Sequence, residues 1–121
     1  MNLKNKKVII TGATGGIGNS LVKKFVEEGA LVLATGTKEE KLQNLKDKLS
    51  NIQVEKFNLE DHSKVESFID SAMQKLGGLD ILVNNAGINM DSLTIRLSEE
   101  NWKKVIDINL TSTFLMCKSA I

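Results

Sequence analysis

The segment from Lys6 to Ser20 constrains the fold more than any other part of the chain. It reads Lys-Lys-Val-Ile-Ile-Thr-Gly-Ala-Thr-Gly-Gly-Ile-Gly-Asn-Ser. The pattern predicts a short buried strand, a glycine-rich turn and the first turn of a helix. A helix that begins directly after a strand presents unpaired N–H groups and the positive end of its dipole at the edge of the sheet. Such a turn is suited to binding a phosphate group.

The same order of strand and helix repeats along the chain. Strands are predicted for residues 8–11, 31–35, 52–57 and 80–83, and apolar residues recur at helical spacing after each of them. This alternation predicts an α/β fold, a doubly wound, Rossmann-like parallel sheet in strand order 3-2-1-4, with three layers α/β/α. No linker or repeat divides the chain, so residues 1–121 are expected to form one dinucleotide-binding domain.

Several residues are suited to mark the ends of these helices. The last helix is predicted to carry an apolar stripe in which the side chains of Trp102 and Cys117 pack, and no glycine or asparagine stops it before Ile121. The domain is therefore interpreted as truncated at its C-terminal end. The predicted N-caps are Thr37 (in a capping box with Glu40), Asp61 and Ser98, and the predicted left-handed C-caps are Gly29 and Gly77.

Composition excludes several classes of function. Sixteen basic and fifteen acidic residues give a formal charge of +1, without the basic field that nucleic-acid binding requires. No apolar run approaches the roughly 18 residues of a membrane span, and no apolar signal region follows Met1, so a cytoplasmic protein is expected. One cysteine excludes an internal disulfide, and the single histidine, His62, is expected at the surface, so no metal site is predicted.

Two motifs together resemble a known family. Thr-Gly-x-x-x-Gly-Ile-Gly runs from Thr11 to Gly18, and Asn-Asn-Ala-Gly runs from Asn84 to Gly87. A glycine-rich turn alone also occurs where glycines serve only tight turns or helix packing. With both motifs on strands one and four, the chain resembles the short-chain dehydrogenase/reductase family over nearly its whole length. The segment 87–93 is similar to bacterial 3-oxoacyl-[acyl-carrier-protein] reductases of fatty-acid synthesis.

The resemblance implies a nicotinamide dinucleotide site at the carboxyl ends of the strands. Each residue of this site also has a structural interpretation, since asparagines suit strand ends and hydrogen bonds between loops. The implied contacts are Gly12, Ala13, Thr14, Gly15, Gly16 and Ile17 around the pyrophosphate and its ribose, Asn58 and Leu59 beside the adenine, and Asn85, Ala86 and Gly87 towards the nicotinamide.

The end of the second strand predicts which nicotinamide cofactor binds. An acidic residue there accepts hydrogen bonds from the ribose 2′-hydroxyl of NAD and repels a 2′-phosphate. The chain has Thr35-Gly36-Thr37-Lys38 at this point, without a carboxylate, which favours NADP(H). Thr37 would supply a hydroxyl and Lys38 a charge, although Thr37 equally suits the helix cap. An arginine is absent both here and at Gly15 in the glycine turn.

Asn109 is the expected catalytic residue of the chain. It falls on or beside the apolar face of the last helix, where a polar side chain needs a hydrogen-bond partner. Either it satisfies buried backbone or it belongs to a site. The resemblance implies the second role, in which Asn109 holds an ordered water within a catalytic tetrad whose Ser, Tyr and Lys lie beyond residue 121. Since the chain contains no tyrosine, it is expected to be inactive alone.

These observations predict the function of a longer parent protein. The resemblance implies NADPH-dependent reduction of a 3-oxoacyl thioester, carried on acyl carrier protein, to the 3-hydroxyacyl form by a homotetramer. Two alternatives stay open: a short-chain dehydrogenase/reductase for another carbonyl or alcohol, and a non-catalytic nucleotide-binding module. A methyltransferase with a similar sheet is disfavoured, because it usually has an acidic residue where this chain has Gly36 and Thr37.

Overall fold

The computed structural model describes residues 2–88 and 96–121. Residues 89–93 of the predicted substrate loop therefore lie outside the described residues. Helices and strands alternate in chain order up to the fourth strand. They are β1 (Lys7–Ile10), α1 (Gly16–Glu27), β2 (Leu31–Gly36), α2 (Glu39–Lys48), β3 (Gln53–Lys56), a 3-10 turn (His62–Lys64), α3 (Val65–Leu76), β4 (Ile81–Val83), α4 (Glu99–Ile106), a π-helical turn (Asp107–Thr111) and α5 (Ser112–Ala120).

The four strands form one parallel sheet in the order β3-β2-β1-β4. The predicted strand order is confirmed. Val8 of the central strand β1 pairs with Val32 of β2 on one side and with Ile81 of β4 on the other. The chain order reverses between β1 and β4, and at such a point the loops that follow the strands leave a crevice.

Apolar side chains pack on both faces of the sheet. Val8 and Ile10 point to one face, where Val22 of α1 and Leu42 of α2 complete a buried cluster. Ile9 points to the opposite face and packs in the cluster that α3 and α5 complete. Successive residues of a strand face opposite sides, so a run of apolar residues requires a cover on both. The three-layer α/β/α architecture is thereby confirmed.

The helix ends agree with the sequence at three of the five predicted caps. The Ser98 side chain accepts the Asn101 N–H at 3.0 Å, and Gly29 and Gly77 adopt positive φ values of 86° and 80°. The capping box at Thr37 is wrong, because Lys38 is the N-cap of α2 and makes no side-chain cap bond. Asp61 begins the 3-10 turn, also without a side-chain cap bond.

The last helix differs from the single continuous helix that the apolar pattern predicts. A π-helical turn separates α4 from α5. Trp102 is 58% exposed and Cys117 is also exposed, so the prediction that these two side chains pack is wrong for this chain. Among the described residues, no helix is long and apolar enough to cross a membrane.

Candidate functional site

An open cleft of about 170 Å³ lies at the carboxyl ends of the strands, where the chain order reverses. Side chains and backbone from the loops after all four strands line it. None of the described lining residues is charged. The lining residues are Thr11, Gly12, Thr14, Thr35, Gly36, Thr37, Phe57, Asn58, Leu59, Ala86, Gly87, Ile88 and Ile108.

Thr11 joins the two loops that carry the sequence motifs. It follows β1 and is 1% exposed. Its Oγ1 accepts the backbone N–H groups of Asn85 at 3.1 Å and Ala86 at 2.9 Å, and it donates to the Val83 carbonyl at 3.4 Å. One hydroxyl therefore satisfies the start of the loop that follows β4. Sequence reasoning treated Thr11 only as part of a motif, although a polar residue that ends a buried strand is itself a signal.

The glycine turn has no room for side chains at two of its positions. A Cβ on Gly18 would lie 1.9 Å from the Gly12 carbonyl oxygen. A Cβ on Gly12, which has a φ of +62°, would lie 2.8 Å from the Ala86 Cα. Asn85 Nδ2 also donates to the Gly12 carbonyl at 3.1 Å. The turn, α1 and the loop after β4 thus approach at backbone distance, which requires glycine.

The N-terminus of α1 is open to an anion. Gly15 is its N-cap, no side chain caps it, and its first turn holds no acidic residue. The first turn of α2, by contrast, contains Glu39 and Glu40. A Cβ added to Gly16 would meet no atom within 4 Å, and Ile17 is 73% exposed. The unpaired N–H groups and the helix dipole therefore favour a negatively charged group at this end of the cleft.

The other end of the cleft offers hydroxyl and apolar groups. Thr35 is 2% exposed, and within the described chain its Oγ1 has no hydrogen-bond partner, so a polar atom of a ligand or a water is expected beside it. Phe57 stacks on Phe68 with ring centroids 4.5 Å apart. Asn58 Oδ1 accepts the Glu60 N–H at 2.9 Å, which fixes the loop after β3. This combination suits the ribose and base of a nucleotide.

Asn109 ties the π-helical turn to the loop after β4. Its Oδ1 accepts the Ile88 N–H at 2.8 Å, and its Nδ2 donates to the Ile88 carbonyl at 2.7 Å. A Cβ on Gly87 would lie 2.8 Å from Asn109 Oδ1. The Asn109 amide thus satisfies both backbone groups of Ile88, and Ile88 lines the cleft.

The structure brings most of the predicted site residues together. Seven of them line the cleft directly, and Asn85 and Asn109 contact backbone that lines it. Ala13 is buried below the turn, where its N–H donates to the Thr35 carbonyl at 3.1 Å, and Gly15, Gly16 and Ile17 are exposed at the start of α1. Sequence reasoning missed the lining residues Thr11, Thr35, Gly36, Phe57, Ile88 and Ile108.

Residues 6–121 match the family model described as short chain dehydrogenase. The chain belongs to the short-chain dehydrogenase family. Members of this family are oxidoreductases that usually bind a nicotinamide cofactor. The two sequence motifs of this chain, the glycine turn and the Asn-Asn-Ala-Gly loop, meet at the cleft described above.

Several curated relatives of this chain carry the same name, and another, from Rhizobium sp. (strain N33), is named Nodulation protein G. The 3-oxoacyl-[acyl-carrier-protein] reductase FabG of Vibrio cholerae serotype O1 is 38% identical over 122 residues, which cover 100% of this chain and 50% of the relative. The protein of the same name from Escherichia coli K12 is 36% identical with the same coverage. The chain thus spans about half the length of the curated relatives it matches.

Solved structures of the same family superpose closely. A short-chain dehydrogenase/reductase from Brucella melitensis, described as SDR:Glucose/ribitol dehydrogenase, has a TM-score of 0.93 and 31% identity, covering 99% of this chain and 52% of that chain. A short chain dehydrogenase from Mycobacterium smegmatis has a TM-score of 0.93 and 30% identity. These neighbours confirm the Rossmann-like fold.

Proposed function

We propose that the whole protein reduces a 3-oxoacyl thioester, carried on acyl carrier protein, to its 3-hydroxyacyl form with NADPH. This chain supplies its amino-terminal, dinucleotide-binding half. The observation that carries the proposal is the cleft at the reversal of strand order, where Thr11 joins the glycine turn to the loop after β4. The names of the curated relatives support the choice of substrate, since relatives at 35–38% identity cover all of this chain.

The residues present fit a nicotinamide dinucleotide. The glycine turn from Gly12 to Ile17 binds the pyrophosphate through backbone N–H groups, because the N-terminus of α1 has neither a capping side chain nor an acidic residue. Asn58 and Leu59 flank the adenine, and Asn85, Ala86 and Gly87 lie towards the nicotinamide. Bound NADPH supplies the hydride for the reduction.

The preference for NADP(H) rests on the uncharged end of β2. No described residue of the cleft carries a carboxylate that would repel a 2′-phosphate. Thr37 lines the cleft and, since it is not the cap of α2, its hydroxyl is available to the phosphate, with Lys38 next in the chain. We infer that these two residues replace the arginine that many NADP sites use.

Asn109 acts at the nicotinamide end of this site. Its amide fixes both backbone groups of Ile88. We infer that Asn109 also holds an ordered water, which relays protons to catalytic residues outside this chain. The whole protein is further proposed to be a cytoplasmic homotetramer.

A different carbonyl or alcohol substrate is the second candidate, and the Brucella melitensis neighbour described as a glucose/ribitol dehydrogenase favours it.

Titration of the intact protein with both reduced cofactors tests the cofactor assignment. We expect NADPH to bind about tenfold more tightly than NADH, the factor that one charge-assisted hydrogen bond of about 1.5 kcal/mol provides. Thr37→Val should remove most of this difference by weakening NADPH alone, while Thr37→Ser, which keeps the hydroxyl, should preserve it. Equal affinities of the unmodified protein for the two cofactors would contradict the assignment.

Turnover of the intact protein tests the substrate. We expect the intact protein to oxidise NADPH with a 3-oxoacyl thioester at a kcat/KM well above that for sugars or steroids. Turnover of a sugar alcohol without turnover of the thioester would favour the second candidate instead.

A further inference from the structure

His62 and Ser112 meet beside the π-helical turn, at a point that no motif predicts. Ser112 is fully buried, and its Oγ lies 3.0 Å from His62 Nε2 and 2.6 Å from the Asp107 carbonyl oxygen. The same hydroxyl contacts the carbonyl oxygen of Leu59, in the loop after β3. The prediction that His62 is a solvated surface residue is therefore wrong, because its ring reaches residues 45 and 50 positions further along the chain.

The partners of His62 assign its ring proton. Nε2 lies 3.2 Å from the Asp107 carbonyl oxygen, which can only accept a hydrogen bond. With a proton on Nε2, His62 donates to this oxygen and to Ser112 Oγ. The single hydroxyl proton of Ser112 is then shared between the carbonyls of Asp107 and Leu59, both of which it contacts. In this tautomer each polar group of the cluster has a partner.

The His62 ring contacts Asp107, the residue that begins the π-helical turn. The Asp107 carbonyl accepts the Ser112 N–H across five residues, which is the bond that defines the turn. Asn109 lies inside this turn, and Thr113 Oγ1 donates to its carbonyl at 3.0 Å. The geometry of the turn thus sets where the Asn109 amide stands relative to Ile88. A single-turn π segment frequently occurs at functional sites.

We propose that His62 and Ser112 are positioning residues that hold the π-helical turn against the loop after β3 and so hold Asn109 against Ile88. Leu59 and Ile88 both line the cleft, at what the proposed function assigns as its adenine and nicotinamide ends. The His62–Ser112 pair therefore joins the two ends of the cofactor site through the backbone. The catalytic consequence rests on the proposed function, whereas the structural link does not.

Hydrogen exchange of the Ile88 amide tests the link without any cofactor. The Ile88 N–H is protected by Asn109 Oδ1, so loosening the turn exposes it. We expect His62→Ala and Ser112→Ala each to accelerate Ile88 exchange roughly fivefold, the factor for one hydrogen bond of ordinary net strength. His62→Gln, whose amide can still donate, should restore slow exchange. Ser119→Ala on the same helix is the matched control and should leave Ile88 unchanged.

Hydrogen exchange of the Ile9 amide, in the centre of the sheet, reports a loss of global stability. It therefore separates such a loss from a loss of positioning. Acceleration at Ile88 with Ile9 unchanged supports the proposal, and acceleration of both by the same factor would overturn it.

The ring nitrogens of His62 give a second test in the unmodified protein. In the 121-residue chain His62 is the single histidine, so its signals there need no assignment by mutation. A neutral ring protonated at Nδ1 instead of Nε2 would also overturn the proposal.

Kinetics of the intact reductase test the consequence for catalysis. His62→Ala should lower kcat about fivefold and weaken NADPH binding by a smaller factor, and His62→Gln should recover most of kcat. A fall in NADPH affinity with kcat unchanged would refute positioning of Asn109. If the intact protein reduces no substrate, the proposed function fails, and the exchange of Ile88 still decides the structural link.

Discussion

Replacing Thr11 with valine removes the one hydroxyl that joins the two motif loops. Valine keeps the branched shape, so no cavity forms, but the Ala86 N–H loses its acceptor, whereas the Asn85 N–H keeps the Val83 carbonyl at 3.1 Å. A buried donor left without a partner costs about 1–3 kcal/mol, so the substitution should cost about 2 kcal/mol of unfolding free energy. With a urea slope of about 1.5 kcal/mol per molar, the unfolding midpoint should fall by roughly 1 M.

Urea unfolding followed by circular dichroism measures this shift, and two variants serve as controls. Thr11→Ser retains the hydroxyl and should lose at most about 1.5 kcal/mol, from one buried methyl group. Thr37→Val makes the same chemical change at an exposed position and should change stability by less than about 0.5 kcal/mol. If Thr11→Val unfolds at the wild-type midpoint, or if Thr11→Ser is equally destabilised, the hydroxyl does not hold the loops together.

Four further substitutions test the glycine turn, the loop after β4 and the cap at Ser98. Gly18→Ala should lower the unfolding free energy by about 3 kcal/mol or more, because its Cβ would lie 1.9 Å from the Gly12 carbonyl oxygen. Gly16→Ala, whose Cβ would meet no atom within 4 Å, should keep the unfolding free energy and weaken NADPH binding in a titration. Gly87→Ala should displace the Asn109 amide and accelerate exchange at Ile88. Ser98→Ala should cost about 1 kcal/mol in thermal unfolding; no change would show that the Ser98 cap contributes nothing.

The sheet and the cleft were predictable because their signals are local. Buried strands such as β1 read as continuous apolar runs, and Gly29 and Gly77 end helices in the left-handed conformation that glycine favours. Once strand order follows from right-handed crossovers, the loops after β1 and β4 must meet. Most of the candidate site then follows from two short motifs.

The errors arose where a residue's environment depends on distant parts of the chain. His62 has polar sequence neighbours, yet Ser112, 50 residues later, binds its ring. Thr37 fits a capping box by spacing, but α2 begins one residue later, which leaves Thr37 on the cleft. Trp102 follows the apolar pattern of the last helix, yet its side chain is 58% exposed. Thr35 reads as an ordinary strand residue, and only the three-dimensional structure shows its buried hydroxyl without a partner.

The interpretation of Asn109 shows where sequence and structure each contribute. The helical pattern places a polar side chain near the apolar face, which requires a hydrogen-bond partner but does not identify it. The structure identifies Ile88 as that partner and shows that a π-helical turn presents the amide to it. Such a turn inserts one residue into the helix and has no simple sequence signal.

The central claim is that the cleft at the carboxyl ends of β1 and β4 binds NADP(H). Its most direct test is an NMR titration of the isotope-labelled chain with NADPH and with NADH. We predict saturable changes in the amide signals of Gly12, Thr14, Thr37 and Asn58, with NADPH about tenfold tighter than NADH. Equal affinities, or changes confined to residues outside the cleft, would contradict the claim.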